Sequence, residues 1–260
     1  MLYDTHAHLN LDYTESEINS IIEKSIEQEI YVNIVGVDLE SSIRAVEISK
    51  LNSKYFFAVI GIHPNDASKK TKEEIDIDIE NLDGLIASNL DCIKAIGETG
   101  LDYFREKDPR GVAMQFYSLN KHVEIARKYN LPLVLHIRDA HEDAIKFIKE
   151  KNLSNVLIHC FSDKLEYAEQ YVKLGCKLSF PGIITFKKSI DLREVVSKID
   201  ICNIVLETDC PYLTPEPFRG KKNSPIYIET IFKEVSKIKN ISYNETCEKI
   251  CANSLFFFNI

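Results

Sequence analysis

The sequence has no apolar stretch near the ~18–20 residues that span a membrane, and its opening Met1-Leu-Tyr-Asp-Thr-His6 has neither a basic segment nor an apolar signal core. No Gly-x-Gly-x-x-Gly follows the first strand-like run, and no Gly-x-x-x-x-Gly-Lys-[Ser/Thr] occurs anywhere. A dinucleotide site and a P-loop are therefore not expected. No Pro/Gly/Ser-rich linker divides the chain, so residues 1–260 are read as one domain. Cys-x-x-Cys spacing is also missing. The cysteines number seven, an odd count, and the closest two, Cys247 and Cys251, lack the spacing of a zinc knuckle or redox motif. Most lie inside apolar runs, as buried free thiols do, which points to a reducing, cytoplasmic setting.

What is present is an ordinary globular composition: 260 residues, 45% hydrophobic and 28% charged. Net charge is 32 − 40 = −8. Bulk attraction to anionic polymers or membranes is excluded, but a local cationic site, or one in which bound metal supplies the charge, is not. Strand-like runs lie at Leu2–His6, Tyr31–Gly36, Phe56–Ile62, Ile93–Glu98, Pro132–His136, Asn155–His159, Lys177–Phe180 and Ile204–Glu207. Amphipathic segments separate them, at Glu15–Gln28, Glu40–Leu51, Lys72–Asn89, Arg110–Tyr129, Ala140–Lys149, Lys164–Leu174 and Ser189–Ile199. Two more follow, Pro225–Ile238 and Tyr243–Phe257. Near-continuous apolar strands alternating with helices predict a covered parallel sheet. Eight such units at this length predict an α/β fold, a closed (β/α)8 TIM barrel in a single domain, with a doubly wound open sheet as the alternative. The stretch Pro211–Pro225 after the eighth strand reads as a functional loop.

Six metal-type side chains fall at C-terminal strand ends: His6 and His8 after the first, Glu98 after the fourth, His136 at the fifth, His159 at the sixth and Asp209 after the eighth. In a parallel barrel all these ends open on one face. His6 and His8 are two apart, so in extended backbone they point the same way, and the same parity joins Glu207 to Asp209. One histidine alone is more often a hydrogen-bonded core residue than a ligand; six at one end of one barrel are not so explained. Four imidazoles and two carboxylates exceed what one hydrolytic ion uses and suit two. Glu98, with two oxygens, can bridge the pair. Two ions ~3.5–4 Å apart can activate a water and stabilise a leaving oxygen. Mixed nitrogen and oxygen ligation suits zinc, manganese or iron more naturally than magnesium; zinc, manganese and magnesium are all kept as candidates for the two divalent cations.

These positions sit in longer matching segments: Asp4-Thr-His-Ala-His-Leu9, Gly61-Ile-His-Pro64, Ile96-Gly-Glu-Thr-Gly-Leu-Asp102, Pro132-Leu-Val-Leu-His-Ile-Arg138, Ile158-His-Cys-Phe-Ser162, Ser179-Phe-Pro-Gly182, Glu207-Thr-Asp-Cys-Pro-Tyr-Leu-Thr-Pro215 and Arg219-Gly-Lys-Lys-Asn-Ser-Pro225. With them the chain resembles the TatD family of metal-dependent deoxyribonucleases, in the amidohydrolase superfamily, over nearly its whole length. The resemblance implies a TIM barrel with a two-metal centre. One ion would be held by His6, His8, Glu98 and Asp209, the other by Glu98, His136 and His159. It implies hydrolysis of DNA phosphodiesters, 3′-to-5′ on single strands or at nicks. RNA cleavage and D-aminoacyl-tRNA deacylation are the alternatives attached to related chains. The sequence departs from the family pattern at Asp163, often glycine, and at Phe218, often histidine.

Expected roles follow. Asp209 is the preferred general base, with Glu98 the shared ligand. His63 is assigned to the scissile phosphate, and Arg138, which shares the parity of His136, to a bidentate phosphate clamp. Glu207 is expected to orient a histidine ligand, and Asp102 to orient the loop after the fourth strand. Arg219, Lys221 and Lys222 form the clearest basic cluster, and Arg219 and Lys222 are expected to meet a nucleic-acid backbone. Tyr103, Phe104 and Tyr212 lie in rim loops where bases could stack. No RRM, KH or helix-turn-helix signature is present, so recognition should be largely independent of base sequence. Membrane and obligate protein partners are not expected. An inactive scaffold would lack a ligand, and none of the six is missing. A lysine bridge, common in binuclear amidohydrolases, is replaced here by Glu98, which favours the nuclease reading.

Overall fold

The computed structural model describes every residue, Met1–Ile260. Eight strands are hydrogen-bonded in chain order, all parallel: β1 (Leu2–Ala7), β2 (Ile30–Val35), β3 (Phe56–Ile60), β4 (Ile93–Asp102), β5 (Leu133–Arg138), β6 (Val156–Ile158), β7 (Lys177–Phe180) and β8 (Ile204–Leu206). The helices between them are α1 (Glu15–Glu27), α2 (Leu39–Leu51), α3 (Pro64–Ala67), α4 (Lys72–Ala87), α5 (Pro109–Tyr129), α6 (His141–Glu150), α7 (Leu165–Lys173), α8 (Ile190–Lys198), α9 (Ile228–Lys239) and α10 (Tyr243–Phe258). This is the single-domain (β/α)8 barrel expected from the alternation. The segment expected to be helical from Pro225 instead starts as a 3-10 turn, Pro225–Tyr227, before α9.

Local chemistry sets the helix starts. Thr14 and Thr71 accept the third backbone N–H of α1 and α4, while Glu17 and Glu74 reach back to the cap. Asp38 and Ser41 do the same for α2. Such caps contribute about 1 kcal/mol each. Strands β1 and β3 are buried at every position, as sheets covered on both faces require.

Two features decide where the site forms. First, β4 runs on to Asp102, well past the expected end at Glu98. Gly97 (φ 153°) and Gly100 (φ 144°) make this possible, because a Cβ at either would overlap the β5 carbonyl of Val134 or His136. Gly100 therefore pairs with His136 and Asp102 with Arg138, and the pairing shifts register between Ile96 and Thr99, where Glu98 lies. Second, β1 and β8 close the barrel chiefly at their C-terminal ends. His8 N donates to Cys210 O (2.8 Å) and Asp209 N to His6 O (2.9 Å). Below them the buried Asp4 accepts from Thr208 N (2.8 Å) and Thr208 Oγ1 (2.5 Å). The seam is fastened at the level of the residues that carry the candidate chemistry.

Candidate metal centre

His6, His8, Glu98, His136, His159 and Asp209 meet at the C-terminal mouth of the barrel. Their donor atoms, with those of His63, fall into three overlapping groups joined through His6 and Glu98: His6, His8 and Asp209; His6, Glu98 and His159; and His63, Glu98 and His136. Glu98 is buried at the centre and its two oxygens face different neighbours. Oε2 lies 3.3 Å from His6 Nε2 and 3.7 Å from His8 Nε2. Oε1 lies 2.9 Å from His136 Nδ1 and 2.9 Å from His159 Nε2. Asp209 Oδ1 completes the first side, 3.4 Å from His8 Nε2 and 4.0 Å from His6 Nε2.

The protonation pattern follows from the outer nitrogens. His8 Nδ1 is 2.9 Å from Val35 O, His159 Nδ1 is 3.2 Å from Glu207 Oε1, and His136 Nε2 is 3.2 Å from Asp102 Oδ2. Each outer partner can only accept, so each outer nitrogen carries the ring proton. The inner nitrogen of a neutral ring then presents a lone pair toward Glu98. Lone pairs do not stabilise a carboxylate at 2.9 Å; a proton or a cation must stand between them. Burial lowers both rings, but Glu98, with Asp102 for His136 and Glu207 for His159, outweighs it, so both bind a proton more tightly than usual when no cation is there. His6 is different. Burial, reinforced by His159 stacked on it at 3.9 Å, lowers it to about 3, and its Nδ1 is buried without a partner. It stays neutral, a donor in search of an acceptor of electrons.

The spacing fits a cation. Ligands at about 2.0–2.1 Å in tetrahedral array lie about 3.3–3.4 Å from one another. His6 and His8 are 3.2 Å apart at Nε2, and His136 Nδ1 is 3.4 Å from His159 Nε2. With the Glu98 and Asp209 separations, both sides of Glu98 have the donor types and edges of a nitrogen/oxygen metal site.

His63 also faces Glu98 Oε1, at 3.4 Å. Its Nδ1 accepts from Asn65 N (3.1 Å) at the start of α3, so its neutral ring carries the proton on Nε2. Burial lowers its pKa and keeps it neutral. It is thus placed as a hydrogen-bond donor rather than as a lone pair. Glu207 orients His159, and its Oε1 also accepts from Cys160 N (2.8 Å). Asp102 does more than expected. It accepts from Arg105 N (2.9 Å) in its loop, and it also holds His136. Its parity with Glu98 along the extended β4 was the signal.

The cavity over this centre has a volume of about 620 Å³ and is lined by His63 and Arg138 among the expected substrate contacts. Lys69 and Arg105, not singled out from sequence, also line it. Arg219 and Lys222 do not. The Lys222 ammonium is bound to Asp12 O and Glu17 (3.1 Å) and sits 4.0 Å above the Tyr13 ring, so its charge is spent locally. The expected Glu207–Asp209 parity is also interrupted, because Asp209 adopts a left-handed backbone (φ 53°).

Comparison with known proteins identifies the family and the fold. A family model described as TatD related DNase matches residues 3–259. The chain belongs to the TatD family. Among its relatives, "Uncharacterized metal-dependent hydrolase YabD" of Bacillus subtilis is 34% identical over 100% of both chains. A second metal-dependent hydrolase, MG009 of Mycoplasma genitalium, is 36% identical over 98% of each. The crystal structure of YjjV, a TatD homologue of Escherichia coli, superposes with a TM-score of 0.90 at 24% identity, covering 100% of this chain and 98% of that one. This TatD protein is a metal-dependent hydrolase. Where it departs from the family pattern, Asp163 lies 3.4 Å from His141 Nε2, and Phe218 stacks on Tyr227 at 4.3 Å. No helix is long and apolar enough to cross a membrane.

Proposed function

We propose that this protein is a TatD-type deoxyribonuclease that hydrolyses DNA phosphodiesters at a centre for two divalent cations, acting 3′-to-5′ on single strands. One cation would be held by His6, His8, Glu98 and Asp209, the other by Glu98, His136 and His159. The observation that carries this reading is the split of Glu98, with one oxygen toward each donor group, while three outer acceptors fix the proton away from the centre.

When bound, the cations supply charge that acidifies water and neutralises phosphate. The remaining work falls to the chain. Asp209 is the carboxylate more open to the cavity, 13% exposed against 4% for Glu98, and takes the proton of the attacking water. As the P–O bond to the leaving oxygen breaks, Asp209 returns that proton to it; His63 donates a hydrogen bond from Nε2–H to a non-bridging phosphate oxygen, and Arg138 supplies a fixed guanidinium at the cavity wall. Val35 O, Asp102 and Glu207 keep the rings oriented, so no reorganisation is needed as charge develops. The seven free cysteines agree with a cytoplasmic setting.

The test is a side-by-side incubation of the protein, loaded with zinc, manganese or magnesium, with an end-labelled single-stranded oligodeoxynucleotide, its RNA counterpart and a D-aminoacyl-tRNA. Stepwise shortening of the DNA from its 3′ end is expected. Rapid deacylation with negligible nucleotide release would replace the nuclease reading, and faster RNA shortening would move the substrate to RNA.

A further inference from the structure

We propose that the mouth of the cavity carries a track for single-stranded nucleic acid, built on two guanidinium-on-phenyl platforms: Arg138 over Phe104 and Arg219 over Phe186. The track rests on the nuclease reading above and adds to it where the strand lies and what grips it. The platforms share one separation. Each guanidinium carbon sits 3.8 Å from the phenyl centroid. They stand on different sides of the mouth. Arg138 ends β5 beside the β4 loop that holds Phe104. Arg219 lies in the loop after β8 and Phe186 in the loop after β7.

The second platform is held as a rigid piece. Arg193 donates to the carbonyls of Ile184 (3.1 Å), Phe186 (2.7 Å) and Lys187 (3.2 Å), and Glu216 N donates to Thr185 Oγ1 (2.9 Å), tying the two loops together. Gly182 has no side chain, which lets the carbonyl of Leu213 lie against it. Ile183 and Leu213, from the same two loops, line the cavity, so the platform continues the cavity wall.

Charge gives the occupant. Between Pro181 and Ser189 there are two lysines and no acid, and between Cys210 and Pro225 three cations and one carboxylate. Lys222 is paired with Glu17, but Lys187, Lys188, Arg219 and Lys221 are exposed. None of those four has a carboxylate within 4.0 Å, in a chain of net charge −8. A local cationic rim on an acidic protein suits a phosphate backbone. A phenyl ring holds a guanidinium flat on one side and leaves its other face free to stack on a base. Phe104 itself is 54% exposed. Only unpaired bases offer such faces, so the occupant is a single strand passing from the β4–β5 side to the β7–β8 side.

The test compares Lys187→Ala/Lys188→Ala, Arg219→Ala and Arg219→Lys with the unaltered, manganese-loaded enzyme. The readouts are kcat and KM on a labelled single strand of roughly 20 nucleotides between about 50 and 200 mM salt. Bis(p-nitrophenyl) phosphate is the small diester and a blunt duplex of the same sequence is the second nucleic acid. The double lysine variant should raise KM on the strand with kcat nearly unchanged, lower the log–log salt slope by about 1.4, and leave the small diester unaffected. Arg219→Ala should raise KM on the strand about tenfold, with no rescue by lysine, which lacks the flat plane. Unchanged KM and salt slope, while the unaltered enzyme degrades the strand, would overturn the track alone. An equal loss on the duplex would overturn its single-strand character. If the unaltered enzyme releases nothing from either nucleic acid, the nuclease reading falls and the track with it.

Discussion

Replacing Glu207 separates the proton lock on His159 from the charge that provides it. Glu207 Oε1 accepts from both His159 Nδ1 (3.2 Å) and Cys160 N (2.8 Å), while Oε2 is buried without a partner. Glutamine can place its oxygen where Oε1 lies and keep both bonds; its amide then occupies the unpartnered position, at a stability cost of about 1–3 kcal/mol. Leucine keeps neither bond. The His159 ring is then free to carry its proton on Nε2, 2.9 Å from Glu98, where it blocks the lone pair. Loss of such an outer partner typically weakens metal affinity about 10–100-fold, or about 1.4–2.7 kcal/mol. The assay is a zinc titration against a competing chelator at fixed pH, with melting curves of the metal-free proteins to confirm folding. Glu207→Leu should lose affinity by that factor, and Glu207→Gln by much less than about tenfold. Equal losses in the two variants would show that charge, not the bond, matters, and unchanged affinity in Glu207→Leu would refute the lock.

Three further outcomes are expected. Glu98→Ala removes the one side chain that faces both donor groups; kcat should fall by about 10³-fold or more, roughly 4 kcal/mol, with loss of bound metal and little change in circular dichroism, and retained rate would refute sharing. Chelation should lower the melting temperature: an ion present at about 100 times its Kd stabilises by about 2.7 kcal/mol, several degrees at this size, and a melting curve indifferent to chelator and to added manganese would count against a resident cation. His122 is buried and neutral, its pKa pushed down to about 4 by burial, with Nε2 accepting from Ile62 N (3.0 Å). Its unfolded pKa is near 6.5, so the unfolded chain takes up the extra proton, and stability present above about pH 6.5 is lost as pH falls toward 4, by up to about 3 kcal/mol. Urea unfolding at pH 7 and pH 4.5 should show this fall and His122→Gln should flatten it; parallel pH curves would contradict the assignment.

The fold was legible because parallel strands and capped helices write their signals locally. Strand β7 coincides with the apolar run Lys177–Phe180, and the other strands end within a few residues of theirs. Errors came where distant backbone decides. The end of β4 lies past Glu98 because Gly97 and Gly100 press against β5, a long-range contact that no local pattern records. Convergence of the six donors was legible from one rule, that strand C-termini share a face. The surroundings of Lys222 are illegible for a related reason: its sequence neighbours are cations, but its partners Asp12, Tyr13 and Glu17 arrive from a segment over 200 positions away. The short α3, whose N-cap is His63, leaves no trace in the pattern, since four residues carry no period.

The least legible part is also the part on which the chemistry turns. An imidazole is held in its ligand tautomer when something accepts the proton on its other nitrogen; three of the four rings have such an acceptor, and His6 Nδ1 has none. Here the three acceptors are two carboxylates, one on a neighbouring strand (Asp102) and one two strands away (Glu207), and the backbone carbonyl of Val35. The first two leave a trace in sequence, because an acid at the end of a barrel strand is conspicuous. The third leaves none, since every residue has a carbonyl and only the β1–β2 register brings this one to His8. His8 should therefore tolerate substitution at Val35 as long as β2 keeps its place, whereas Glu207 tolerates only an isosteric acceptor. The contrast can be measured by setting Val35→Ala against Glu207→Leu in the same zinc titration. Val35→Ala should cost core stability, about 1–3 kcal/mol for the lost methyl groups, and leave metal affinity intact. A loss of affinity in Val35→Ala as large as that of Glu207→Leu would mean that His8 is held by the packing of the valine side chain and not by its carbonyl.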